Sequence, residues 1–247
     1  MKPSYRARAR MNEMNRSIAE MVALVEAELA ARADPAKAGP MQAYMKTTQP
    51  FHGVQKPDRV PLVRRLKEFA PKDRRDWERR TLALWNLPHR EERYVALDYA
   101  MLWRAYRTPE ALGFLRRLIV EGAWWDLVDV VAGGLVSPIL KAHRAETKPV
   151  MEQWIEDEDL WVRRAALLSQ LKHKGETDEA QLFDFCLRRA GEKDFFIRKA
   201  IGWALRDYSW TRPEAVRDFV VSCHGKLSPL SVREACKQLR KMGLTVE

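Results

Sequence analysis

Val162-Arg163-Arg164-Ala165 is echoed by Ile197-Arg198-Lys199-Ala200 and again by Val232-Arg233-Glu234-Ala235, and both spacings are 35 residues. Asp159 and Asp194 keep the same period. One period upstream, Leu127-Val128-Asp129-Val130 preserves the apolar positions and carries valine in place of the first arginine. Further upstream the pattern fades, and only the pairing of helical segments supports repeats. A period of this length on helical sequence means one supersecondary unit stacked on copies of itself. Each unit buries its apolar face against the next, so equivalent positions form a row across one face of the array.

Helical periodicity runs almost the whole length, with no convincing alternating strand. Pro35, Pro57, Pro109, Pro149, Pro213 and Pro229 each stand at the start of an amphipathic run, where proline suits the first helical turn. Ser228 and Thr108 add N-cap candidates directly before their prolines. The expected helices include 90–107, 109–121, 124–141, 148–157, 159–173, 178–190, 194–209 and 229–242, joined by short polar links. The fold class is therefore all-α, an α-solenoid of HEAT-like repeats with a concave, basic face, the period being a little short for a standard HEAT repeat. Residues 17–247 read as a single repeat domain. Residues 1–16 read as a flexible arm in which Lys2, Arg6, Arg8, Arg10 and Arg16 outnumber Glu13.

The register places Asp129, Arg164 and Lys199 at the same point of three successive units. Trp125 lies one helical turn before Asp129, and Trp203 one turn after Lys199, so both indoles belong near that row. Spacing alone thus predicts a strip with one carboxylate, two cations and two tryptophans. Each member has a plainer reading: a tryptophan at helical spacing is usually core, and Arg164 can serve only as the ion-pair partner of Asp129. A carboxylate within the apolar stretch Leu127–Leu135 is costly unless it is paired or functional. Aromatic faces beside basic groups suit nucleic acid.

Composition narrows the classes further. The 247 residues carry 44 Lys and Arg against 34 Asp and Glu, a formal net charge of +10 that suits a polyanionic partner. Apolar residues make up 46%, which excludes a disordered chain. Cys186, Cys223 and Cys236 neither pair evenly nor show metal-ligand spacing, and a reduced, cytoplasmic protein is expected. The N-terminus has no apolar core of a secretory signal, and no stretch is long and apolar enough to span a bilayer. There is no P-loop, dinucleotide loop or G-x-S-x-G elbow. His52, His89, His143, His173 and His224 are scattered, without the spacing of helix-borne metal ligands. No metal or cofactor is expected, and the protein is read as a monomer. Gly133-Gly134, inside a helical stretch, either permits close packing or ends a turn.

Trp124-Trp125-Asp126-Leu127-Val128-Asp129 resembles the WWD-x-VD segment of AlkD-type alkylpurine DNA glycosylases. The resemblance continues through Trp161–Ala166, Gln170-Leu171-Lys172 and Phe195–Trp203. Tyr44-Met45-Lys46, Phe51-His52-Gly53-Val54 and Pro57-Asp58-Arg59 are similar to the family's N-terminal segment. It runs from about residue 17 to the C-terminus and departs around Thr47-Thr48-Gln49-Pro50. The resemblance implies that Asp129 is the catalytic carboxylate and that Trp125 and Trp203 contact the lesion. It implies that Arg164 contacts phosphate and that Tyr44 approaches the DNA backbone. Lys199 is expected to join the DNA contacts from its place in the row.

The activity implied is hydrolysis of the N-glycosidic bond of N3- or N7-alkylated purines in duplex DNA, without extrusion of the base. Such a purine is cationic and leaves as a neutral base, so no strong general acid is required. A fixed carboxylate can stabilise the sugar cation that develops and orient water. The competing expectation is a non-catalytic DNA-binding scaffold in which Asp129 merely pairs with Arg164. A protein-interaction adaptor leaves the basic surplus and the Trp–Asp row unexplained.

Overall fold

The computed structural model describes residues 17–223 and 225–244, and the basic arm at 1–16 lies outside them. All regular structure among the described residues is helical, and none of these helices is long and apolar enough to cross a membrane. The chain forms two compact units that divide between Tyr106 and Arg107.

The first unit contains α1 (Ile18–Ala30), α2 (Pro35–Met45), α3 (Lys56–Arg65), α4 (Arg74–Trp85) and α5 (Arg90–Leu102). Ser17 and Glu20 open α1 with a reciprocal capping box. Asp34 caps α2 ahead of Pro35 at its first turn. Helices α4 and α5 pack as a hairpin around Trp77, Leu84, Trp85, Val95 and Tyr99, all fully buried. Glu91 of α5 is buried as well, because its carboxylate accepts the backbone N–H groups of His52, Gly53 and Val54 at 2.8–3.0 Å. Gly53 has φ +85°, and a Cβ there would fall 2.1 Å from the Asp34 carbonyl oxygen. Only glycine fits this turn.

The second unit contains α6 (Leu112–Gly122), α7 (Trp125–Val131), α8 (Ser137–Ala142), α9 (Arg144–Trp154) and α10 (Leu160–Leu168). It continues with α11 (Glu179–Arg188), α12 (Phe195–Tyr208), α13 (Pro213–Ser222) and α14 (Pro229–Lys241). The 35-residue repeat is physical. Asp159 and Asp194 cap α10 and α12 in the same way, each Oδ1 accepting two first-turn N–H groups. Side-chain hydrogen bonds between helices join residues about one period apart, such as Ser137 to Leu171, Arg163 to Glu192, and Asp207 to Lys172. Helix α10 packs against both α7 and α12, and α12 packs closely on α14. Gly202 sets that last approach, since a Cβ would lie 2.4 Å from Glu234 Cβ.

Two local expectations change. The stretch read as one helix over 124–141 is α7 and α8 joined by a π-helical segment, Ala132–Val136, that contains both glycines. Pro138 offers no N–H to the carbonyl of Gly134, which disrupts the ordinary ladder there. Pro149, which the sequence pattern places at a helix start near 148, lies inside α9, which starts at Arg144. Its ring deprives only the Ala145 carbonyl of a donor, and Ala145 is exposed, so water can satisfy that oxygen.

Candidate active site

The backbone turns sharply before α7: Ala123 is left-handed and Trp124 is extended, so the helix begins at Trp125. Leu127, Val128 and Val131 anchor its inner side and are fully buried. Asp129 is thereby held at the margin of the core, its side chain 14% exposed.

Arg164 of α10, one period away, meets this carboxylate in a two-pronged ion pair. Nε donates to Oδ1 at 2.7 Å and Nη2 to Oδ2 at 2.8 Å. The third nitrogen, Nη1, donates to the Phe196 carbonyl at 2.5 Å. With three directional bonds and a side chain only 4% exposed, the guanidinium is fixed. Behind it Trp124, Trp161 and Phe196 form an aromatic cluster with centroids 4.8–5.7 Å apart. Each oxygen of Asp129 accepts one Arg164 N–H and keeps a further acceptor position. Burial pushes the Asp129 carboxyl up, Arg164 pulls it down, and nearby Asp126 adds to the upward push; the net direction is above the usual aspartate value.

The next two members of the row repeat the device with the order of charges reversed. Lys199 Nζ lies 2.7 Å from Glu234 Oε1, again 35 residues apart. Glu234 is buried and also holds Lys237 and Arg206, each at 2.7 Å. Burial raises its pKa, but hydrogen bonds and charge from Lys199 and Lys237 outweigh that and hold it at about 2. The row is thus Asp129, Arg164, Lys199 and Glu234, paired two by two.

The structure brings Asp129 and Arg164 together as the register implies. Trp125 and Trp203 are both part-exposed, neither sealed in the core. Lys199 is part-exposed and ion-paired. Tyr44, on α2 of the first unit, is 70% exposed. Arg164 is more enclosed than a phosphate contact needs, and its three bonds suit the orientation of Asp129. Sequence reading did not assign Glu234 or Phe196. The signal for Glu234 was present, because it is the next residue in the 35-residue register. Phe196 follows Trp161 at the same period.

The sequence pattern of the DNA alkylation repair enzyme family matches residues 25–239. The structure of a predicted DNA alkylation repair enzyme from Enterococcus faecalis is similar, with 31% identity and a TM-score of 0.69, over 85% of this chain and 97% of that one. The crystal structure of smu.31 from Streptococcus mutans UA159 shares the fold at 17% identity and a TM-score of 0.55, over 71% of this chain and 90% of that one. No curated protein matches the chain significantly. On this evidence the chain belongs to the DNA alkylation repair enzyme family.

Proposed function

We propose that the protein is a DNA glycosylase that hydrolyses the N-glycosidic bond of cationic N3- or N7-alkylated purines in duplex DNA. The observation that supports this most is a part-exposed carboxylate, Asp129, held in one orientation by a buried arginine and preceded one turn earlier by a part-exposed indole. As the bond to the cationic base breaks, positive charge develops on the sugar. A carboxylate already aimed there stabilises that charge without reorganising, and its remaining acceptor positions can align water for attack. The indole faces of Trp125 and Trp203 favour a cationic nucleotide through their ring quadrupoles. Lys199, Arg206 and Lys237 outnumber the single carboxylate of Glu234, and the surplus charge suits phosphate. The lesion is read from its backbone, without extrusion of the base, and the released base leaves an uncleaved abasic strand.

In this reading Arg164 positions Asp129. The ion pair also fits a second reading, a DNA-binding scaffold in which the pair is purely structural. Incubation with methylated duplex DNA separates the two. Free alkylated purine above the spontaneous level supports the glycosylase, whereas tight binding with no released base supports the scaffold.

A further inference from the structure

Two histidines that sequence spacing keeps apart meet in the first unit. His52 belongs to the segment between α2 and α3, and His89 stands directly before α5. Their rings stack with centroids 3.7 Å apart and planes at 25°. Glu92, in the first turn of α5, lies against both. Its Oε1 is 3.3 Å from His52 Nε2 and 3.4 Å from His89 Nδ1. All three atoms lie within 4.8 Å of one another. Donor atoms on a tetrahedral ion bound at ~2.0–2.1 Å stand ~3.3 Å apart, so the carboxylate already has the spacing of a ligand to each imidazole.

The surroundings hold this carboxylate in place. The Glu92 side chain is 2% exposed, and its Oε2 accepts the His89 backbone N–H at 2.7 Å. The segment carrying His52 is fixed by three backbone N–H groups on Glu91. His89 Nδ1 is buried at the start of α5, where it faces the Glu92 backbone N–H without good hydrogen-bond geometry. A buried polar atom in that condition calls for a water or an ion.

We propose that His52 Nε2, His89 Nδ1 and Glu92 Oε1 form a site for one divalent transition-metal ion, with water completing the shell. Two imidazoles and a carboxylate suit Zn2+ or Ni2+, whereas Mg2+ and Ca2+ require oxygen ligands throughout. The stacked rings hold their lone pairs side by side, so capture turns the His89 ring, the more exposed of the two, towards His52. The ion then cross-links the 47–55 segment to the start of α5. Its role is to brace the first unit.

The test is calorimetric titration of chelator-treated full-length protein with Zn2+, with Mg2+ as the contrasting ion, beside thermal unfolding. One Zn2+ per chain and a raised melting temperature are expected, with no response to Mg2+. His89→Ser places a capping hydroxyl at the start of α5 and removes the imidazole, and His52→Gln removes the other. Each should weaken Zn2+ by on the order of 100-fold or more, since loss of an outer-shell partner alone costs ~10–100-fold. If His52→Gln fails to fold, the His89→Ser comparison decides the matter alone. Absence of saturable Zn2+ binding, or unchanged affinity in folded His89→Ser, overturns the site.

Discussion

Replacing Asp129 by asparagine changes one atom of the site and separates its two candidate roles. The native carboxylate accepts from Arg164 at 2.7 and 2.8 Å. Asparagine keeps one acceptor and presents an N–H to a guanidinium N–H, leaving Arg164 buried with its charge uncompensated. Breaking a buried pair from one side typically costs about 3–5 kcal/mol. The 14% exposure of Asp129 admits some water, so a loss of about 2–3 kcal/mol is expected here. A domain of ordinary stability survives that, since even ~2 kcal/mol remaining leaves roughly thirty folded molecules for each unfolded one. Removing an aimed electrostatic group costs about 10²–10³ in rate. Unfolding therefore cannot account for the loss. The double variant Asp129→Asn/Arg164→Gln removes the stranded charge, so it should regain much of the stability and none of the rate. The assay is single-turnover excision from a duplex with one cationic alkylpurine, run beside chemical unfolding. Excision within about threefold of the parent by folded Asp129→Asn, or recovery of rate with stability in the double variant, refutes the reasoning.

Three further outcomes are expected. Arg164→Gln cannot hold Asp129 in the two-pronged geometry, so excision should fall while the salt dependence of DNA binding holds; a salt slope reduced by about one would instead assign Arg164 to phosphate. Excision should be lost as pH falls through the raised pKa of Asp129, because only the ionised form can stabilise the sugar cation; an acid limb centred at or below the ordinary aspartate value counts against Asp129 as the titrating group. Glu234, held at about 2 against an ordinary 4.5, contributes stability that is full above 4.5 and fades as pH falls towards 2. Glu234→Gln should cost about 2 kcal/mol at neutral pH, discounted for its part-exposed cations, and flatten that acid dependence in denaturant melts.

The repeat was legible because stacked units impose one period on everything they share. Asp159 and Asp194 had to recur as caps, and positions 129 and 164 had to meet, once each unit packed only on its neighbours. The pairing of charges was half legible. Arg164 was an evident partner for Asp129, while Glu234 lies in a polar stretch where a carboxylate is ordinary, so its pairing with Lys199, Arg206 and Lys237 shows only in the fold. Departures came where backbone hydrogen bonding decides and side-chain pattern does not. The π segment follows from Pro138 acting on Gly134, and Pro149 is tolerated because Ala145 is exposed, which lets water satisfy its carbonyl. The meeting of His52 with His89 was not legible at all. One comes from a loop held by Glu91 and the other from a helix start, a relation that no helical spacing encodes.

The most direct test compares two damaged purines of similar size, one cationic and one neutral, each placed singly in the same duplex and followed by single-turnover excision. In the proposed mechanism Asp129 supplies charge stabilisation and no strong acid serves the leaving base, so only a base that departs neutral can be released. The prediction is release of the cationic purine at least ~10²-fold above its spontaneous rate, from a strand left uncleaved, with no release of the neutral one. Release of both at comparable rates, or of neither from duplex that the protein demonstrably binds, would contradict it.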